Sequence, residues 1–323
     1  MPLRQPTLPG HDAGAETALT AQMPDGRHLH WGAEALWQAL EPLLPGLSVE
    51  VVARTESTNT RLLERARQSS GLLDAPITRP GQIVDGEPPR APYGRRAGDI
   101  QPCLLVAEHQ TRGRGRLGRD WQASPGLSLT FSLALPLAPR EWSGLSLAVG
   151  VALADALEPA GGAAARIGLK WPNDLWLVDA PGSGRKLGGV LIETLAVGAR
   201  RMCVVGVGIN VLPQTFEGLA TGFACLTELD PAANAPQALA AVAQPLVRAL
   251  LAFERDGFAP FVAPYAQRDL LRGQRVTTNA TEVAEGLAEG VDERGALRVR
   301  GDDGTLHRLV SGEVSVRLQG TAC

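Results

Sequence analysis

The chain is 323 residues long with a formal net charge of −3, long enough for about two domains and too acidic for a general nucleic-acid binder, whose surface is strongly basic. Its four cysteines, Cys103, Cys203, Cys225 and Cys323, form no CxxC pair, which argues against a metal cluster and for free thiols. The opening MPLRQPTLPGHDAG is polar, and the most apolar stretch, LSLAVGVALADALEPAG, is broken by Asp155 and Glu158, so the expectation is a cytoplasmic protein with no secretory leader and no membrane span.

In chain order, residues 1–26 read as disordered. LHWGAEALWQALEPLLPG (29–46) has apolar residues at helical spacing and stops at Pro45-Gly46. LSVEVVART reads as a strand, and ESTNTRLLERARQSS as a helix capped by Ser57 or Thr58. Residues 70–102 are dense in Pro, Gly and charge and read as a long loop or insertion. CLLVAEHQ (103–110) is a strand that delivers the chain into QTRGRGRLGRDW. GLSLTFSLAL (126–135) alternates polar and apolar residues, which predicts a half-exposed strand, and 143–158 predicts an apolar helix. ARIGLKWPNDLWLVD reads as two short strands broken by Pro172. RKLGGVLIETLAV and RRMCVVGVGINV read as consecutive antiparallel strands, and 236–270 as helical. After Gly273, short strands separated by Gly/Asp turns suggest a small all-β barrel. The expected fold class is α+β: a central mixed β-sheet flanked by helices, plus a small C-terminal barrel. The expected divisions are an N-terminal extension (1–46), a main body (47–270) and the barrel (271–323).

Residues 112–119 interleave Arg112, Arg114, Arg116 and Arg119 with Gly113, Gly115 and Gly118. Glycine lets backbone N–H groups approach a ligand, and arginine supplies a permanent charge and a planar fork for phosphate or carboxylate. Three readings are open on these residues alone: an RNA-binding Arg-Gly segment, a solvated turn, or a phosphate-binding active-site loop. A single short copy in an acidic chain disfavours the first. LKWPNDLW places Lys170, Asn173 and Asp174 at a strand end, where lysine suits a phosphate and Asn and Asp suit a ribose, a metal or an amine; alone, it is equally a surface hairpin. RKLGGVLIE puts Lys186 before Gly188 and Gly189. GVGIN sets Gly206 and Gly208 inside a strand that ends on Asn210, a sign of close approach by a ligand or another backbone, or of helix–sheet packing.

Taken in order, ESTN, AEHQTRGRGRLGRDW, LKWPNDLW, RKLGGVLIE and GVGIN resemble the bacterial biotin–protein ligases, and the closing GEVSVRL resembles that family's C-terminal SH3-like barrel; the resemblance spans residues 48–320. Lipoate–protein ligases share the fold but, as a family, lack the Gly-Arg signature. The resemblance implies a biotin/lipoate ligase-like catalytic domain. Its enzyme uses ATP and Mg2+ to make biotinyl-5′-AMP, then passes biotin to a lysine of an acceptor, typically the biotin carboxyl carrier protein of acetyl-CoA carboxylase. It implies that Ser57, Thr58 and Gln110, helped by the backbone of Gly113 and Arg114, bind the ureido ring, with Asn59, Gly115, Arg119 and Trp121 in the same binding set. It implies catalytic roles for Arg116 and Lys186 near the biotin carboxylate and the α-phosphate. Lys170, Asn173, Asp174, Gly188, Gly189, Gly208 and Asn210 would line the nucleotide side, with Asp174 a metal contact and Phe223 an aromatic over adenine.

Three departures accompany the resemblance. The 70–102 insertion is longer than expected for the family and reads as a lid, an acceptor-docking element or an inert loop. Many bacterial members carry an N-terminal helix-turn-helix; here at most one helix precedes the first strand, so no sequence-specific DNA binding is expected. Position 112 is Arg where the family often has Ala, either strengthening the loop's pull on anions or merely facing solvent. The family often dimerises by sheet extension, but no diagnostic pattern for a homodimer is present. A lipoate or octanoate ligase of the same fold and a non-catalytic ligand-binding module are the competing readings.

Overall fold

A computed structural model describes residues 29–73, 100–158, 165–215, 222–310 and 316–318. The expectation of disorder over 1–26 and most of the 70–102 insertion lie outside these residues.

Helix α1 (Ala33–Leu40) precedes β1 (Ser48–Thr55), α2 (Thr58–Leu73) and β2 (Cys103–Gln110). The two strands are parallel, which demands a crossover, and α2 supplies it. Two short strands follow, β3 (Gly113–Arg114) and β4 (Asp120–Trp121), then β5 (Ser128–Pro136) and α3 (Leu145–Leu157). Strands β6 (Ile167–Lys170), β7 (Asp174–Ala180), β8 (Ser183–Val197) and β9 (Arg200–Asn210) form an antiparallel run, with β8 and β9 paired as the sequence predicts. The result is a seven-stranded mixed sheet in the order β1-β2-β5-β9-β8-β7-β6.

The sheet is covered on both faces. On one, Leu104, Val106, Leu129, Phe131, Leu133 and Leu135 join the main core with α1, α3 and α4 (Ala235–Asp256). On the other, Cys103, Leu105, Ala134 and Val204 pack under Leu62, Leu63 and Ala66 of α2. This corrects the reading of β5 as half-exposed, because its polar positions Ser128, Thr130 and Ser132 are as buried as its apolar ones. Their hydroxyls find partners inside: Thr130 donates to the Ala107 carbonyl at 2.8 Å, and Gln214 donates to Ser128 at 2.9 Å. Polar alternation here marks an internal polar face, whose Ser132 packs against Thr58 and Asn59 at the start of α2.

Among the described helices, α4 alone is long and apolar enough to cross a membrane. Its stripe of Leu239, Val242, Leu246, Leu250 and Phe253 is instead buried in the core, as an amphipathic helix requires.

Helix α5 (Val262–Arg268) leads into β10 (Arg275–Thr278), β11 (Glu285–Val291), β12 (Leu297–Arg300), β13 (Leu306–Leu309) and β14 (Val316–Leu318). These pair as an antiparallel sheet, β13-β12-β11-β10-β14. Five antiparallel strands are consistent with the expected SH3-like module, although the strand pairings among the described residues close no barrel and leave β13 and β14 at the ends of the order. It is tied to the main body by Leu270 N–H to the Leu169 carbonyl (3.0 Å), Trp171 Nε1 to the Gly295 carbonyl (3.1 Å) and Lys170 Nζ to the Val316 carbonyl (2.7 Å). That last bond brings β14 to the rim of the main cavity.

Candidate active site

The principal cavity, about 1090 Å³, opens over the start of β7, the middle of β8 and the end of β9. That is room for two small molecules side by side. It has a neutral, buried end and a cationic end.

The neutral end is built on the start of α2. Ser57 caps the helix, accepting the Thr60 N–H at 3.4 Å, as the sequence predicts for one of its two candidates. Thr58 donates from both its backbone N–H (2.7 Å) and its hydroxyl (3.0 Å) to Gln110 Oε1 at the end of β2. Ser132 of β5 lies beneath them, 2.6 Å from Thr58 Oγ1 and 2.6 Å from Asn59 Oδ1. Sequence reasoning missed Ser132; its signal was the polar alternation of β5.

The Gly-Arg segment forms a hairpin over the cavity, with Gly113 paired to Trp121 and Arg114 to Asp120. Its glycines have specific tasks. A Cβ on Gly113 would lie 2.3 Å from the Trp121 carbonyl oxygen, and Gly118 takes φ 70° beside Leu117 at φ 58° in the turn. A leucine in the left-handed region costs about 1 kcal/mol or more. The hairpin is seated by Trp121: a Cβ on Gly208 would lie 2.4 Å from the indole Cε2. Gly206 makes the same room for Asn59, whose Oδ1 would be 2.2 Å from a Cβ there. The alternating glycines of GVGIN are therefore sockets for two side chains.

At the cationic end, Lys186 Nζ pairs with Asp174 Oδ1 at 2.8 Å and lies 5.9 Å over the Trp121 ring. Arg116 reaches from the hairpin turn to Asn173 Oδ1 at 3.4 Å, and Asn173 Nδ2 donates to the Val190 carbonyl at 2.7 Å. Lys170 lies 5.5 Å over Trp176. Burial pulls the Lys170 ammonium below its ordinary value; Asp174 opposes this, while Lys186, Arg119 and Arg317 add to it. Burial likewise lowers Arg116, with Asp174 again opposing. Six cationic side chains face two carboxylates, Asp120 and Asp174, around the cavity. Such an excess favours a polyanion.

Of the site residues singled out by motif, all line this cavity except Gly113 and Gly188. Gly188 lies within the β7–β8–β9 pairing, where a Cβ would meet the Gly208 carbonyl oxygen at 2.7 Å, so its role is to let strands approach. The amide of Asn210 is spent on the backbone carbonyls of Lys186 (3.3 Å) and Ala224 (3.0 Å), which ties down the segment carrying Phe223. Phe223 does line the cavity, and Arg185 holds its carbonyl at 3.1 Å. Arg112 is on the outside, 79% exposed and 3.8 Å from Glu56, which selects the solvent-facing alternative. Val316, Arg317 and Leu318 also line the cavity, a contribution of the second sheet that no motif announced.

The model of the biotin/lipoate A/B protein ligase family matches residues 100–210, and that of the biotin protein ligase C terminal domain matches residues 272–317. The chain is 32% identical over 257 residues to the biotin–[acetyl-CoA-carboxylase] ligase of Mycobacterium tuberculosis, covering 77% of this chain and 82% of that one. It is 31% identical over 281 residues to the bifunctional ligase/repressor BirA of Escherichia coli, covering 85% and 75%. Among solved structures, the biotin protein ligase of Aquifex aeolicus in complex with biotin and ATP superposes with a TM-score of 0.61 at 26% identity, covering 84% of this chain and 99% of that one.

Proposed function

This chain belongs to the biotin–protein ligase family, and from that premise we propose how its cleft divides the work. The reaction is ATP-dependent and AMP-forming: biotin becomes biotinyl-5′-AMP with release of pyrophosphate, and the acyl group then passes to a lysine of the biotin carboxyl carrier domain of acetyl-CoA carboxylase.

In this reading, Ser57, Thr58 and Gln110 hold the ureido ring at the buried end. A buried urea left unpaired costs about 1–3 kcal/mol per group, so these bonds select for it. The biotin carboxylate then points toward Arg116 and Lys186, where the α-phosphate must also sit. Two anions meet there. Fixed cations offset their repulsion and stabilise charge that grows on the phosphoryl oxygens during attack. The carboxylate oxygen forms the bond to phosphorus, and pyrophosphate leaves toward Lys170 and Arg119. The mixed anhydride is itself the acyl donor, so no enzyme nucleophile is required; the hairpin shields it from water until the acceptor lysine arrives.

Mg2+ binds hard oxygen donors and is commonly carried on substrate phosphates. Asp174 and Asn173 offer oxygens at the cationic end, and Asp174 is the proposed protein contact, in exchange for its pairing with Lys186. The ion would supply charge neutralisation at the phosphates.

We further propose that the catalytic body and the C-terminal module divide near residue 271, and that the protein works in the cytoplasm without reading DNA sequence. Helix α1 supports the last point: Leu36 and Leu40 are committed to the main core, so it is no free half of a helix-turn-helix. A promoter fragment of a biotin operon that shifts with the purified protein at moderate salt would overturn it.

The observation that carries the reading is the Gly-Arg hairpin seated by Trp121 on Gly208, which sets Arg116 opposite the Lys186–Asp174 pair. The deciding experiment is ATP-dependent labelling of a purified carrier domain, run with biotin and with lipoate. Labelling with biotin is expected; labelling only with lipoate, or none, overturns it.

A further inference from the structure

Glu193 lies on β8 behind the cavity wall, and no role above uses it. Its carboxylate joins two elements that cover the sheet. Oε1 accepts from Arg114 Nη2 at 2.9 Å, and Oε2 accepts from Arg114 Nη1 at 3.3 Å and from Asn59 Nδ2 at 3.0 Å. The Gly-Arg hairpin and the first turn of α2 therefore share one anion.

The chain of bonds continues inward. Asn59 Oδ1 can only accept, so the Ser132 hydroxyl, 2.6 Å away, must donate to it. With that hydrogen committed, Thr58 Oγ1 donates either to Ser132 Oγ at 2.6 Å or to Gln110 Oε1 at 3.0 Å. Gln110 Oε1 keeps the Thr58 N–H at 2.7 Å in both cases. A ligand at the buried end can thus draw on the Thr58 hydroxyl or Gln110 without orphaning a buried group. The missing side chain of Gly206 leaves the space that Asn59 occupies in this chain.

We propose that Glu193 is a positioning residue: it latches the Gly-Arg hairpin through Arg114 and links that latch to the hydroxyl pair at the buried end of the cleft. The latch is a contact between the chain's own residues; that the occupant of the cleft is biotin rests on the reading above. The Arg114 and Glu193 side chains are 46% and 23% exposed, so solvent weakens the pair, while its two-pronged geometry strengthens it.

The test uses the full chain in four forms: wild type, Glu193→Gln, Arg114→Ala and the double variant. Gln preserves shape and an acceptor for Asn59 but removes the charge facing Arg114. Stopped-flow release of biotin should quicken about fivefold in each single variant, and no further in the double, because both break one interaction. Tryptic cleavage after Arg116 in ligand-free protein should quicken in parallel, with the thermal midpoint unmoved. Wild-type rates in both assays, or effects that multiply in the double variant, overturn the proposal. If wild type binds no biotin, the ligand-free cleavage assay still decides the latch while the biotin reading fails separately. Should Glu193→Gln fail to fold, half-exposed Arg114→Ala carries the cleavage test alone.

Discussion

Lys186 Nζ stands 2.8 Å from Asp174 Oδ1 across the β7–β8 pair, beneath the indole of Trp121. The carboxylate holds the ammonium at the cavity wall instead of letting it reach into solvent, and the turn that brings Arg116 to Asn173 closes from the other side. On the proposed reading, an α-phosphate entering the cleft would find its cations already placed. That is the condition under which electrostatic stabilisation costs little reorganisation at the moment of reaction.

Replacing Lys186 with Ala should therefore slow adenylation by about 100-fold or more, the size of effect seen when one preorganised donor is removed from a reacting anion. Biotin-dependent pyrophosphate exchange measures that step directly. Exchange at the wild-type rate would take Lys186 out of the mechanism.

The role proposed for Arg116 is retention as much as formation. It projects from the turn of the hairpin, so on that proposal its loss would open the wall over the mixed anhydride. The Arg116→Gly variant should still form biotinyl-AMP but release it, and bystander proteins with no carrier domain should become biotinylated on lysines. Intermediate retention equal to wild type in a filter-binding assay would count against this role.

How far the sequence foretold these features depended on whether the signal was local. The strand pair β8–β9, the break at Pro172 and the Gly-Arg segment follow from short-range chemistry, and all were legible. The burial of β5 was not, because period-two polarity says only that two faces differ. It does not say that the polar face meets Thr58 and Asn59 on a helix more than 70 residues earlier in the chain. Gly206 and Gly208 announced close approach, yet which side chains fill the space depends on where α2 and the hairpin land. Glu193 carried no motif at all; its role exists only once Arg114 and Asn59 meet it.

Gly208 offers a test of the hairpin's seat. A Cβ there would lie 2.4 Å from Trp121 Cε2, closer than real contacts allow, so Gly208→Ala must move the indole or the strand. Overpacking of this kind costs about 1–3 kcal/mol. Because Trp121 sits at the hairpin base, the displacement should reach Arg116 as well. The variant should remain folded by circular dichroism yet bind the adenylate at least about tenfold more weakly, the equivalent of 1.4 kcal/mol. An unchanged dissociation constant by calorimetry would show that Trp121 does not seat the hairpin.

The junction between the two sheets makes a prediction about pH. Asp269 precedes the second sheet, and burial pushes its carboxyl up to about 6 against the opposing backbone N–H groups of Leu271 and Arg272 and the Arg272 charge. Its Oδ1 accepts the Leu271 N–H at 3.0 Å, while Oδ2 and the nearby Tyr265 hydroxyl are buried without a protein partner. An acid whose folded pKa lies above its ordinary 3.8 binds more protons in the native state than in the unfolded one between those values. Native stability from this group is therefore full below pH about 4, is lost as pH rises toward about 6, and stays lost above; two pKa units correspond to about 3 kcal/mol. Asn carries no charge to desolvate and keeps an acceptor for Leu271. Asp269→Asn should then match wild type near pH 4 but unfold at a higher temperature at pH 8. Differential scanning calorimetry at both pH values checks it, and a variant no more stable than wild type at pH 8 would show that the buried carboxylate is not under strain.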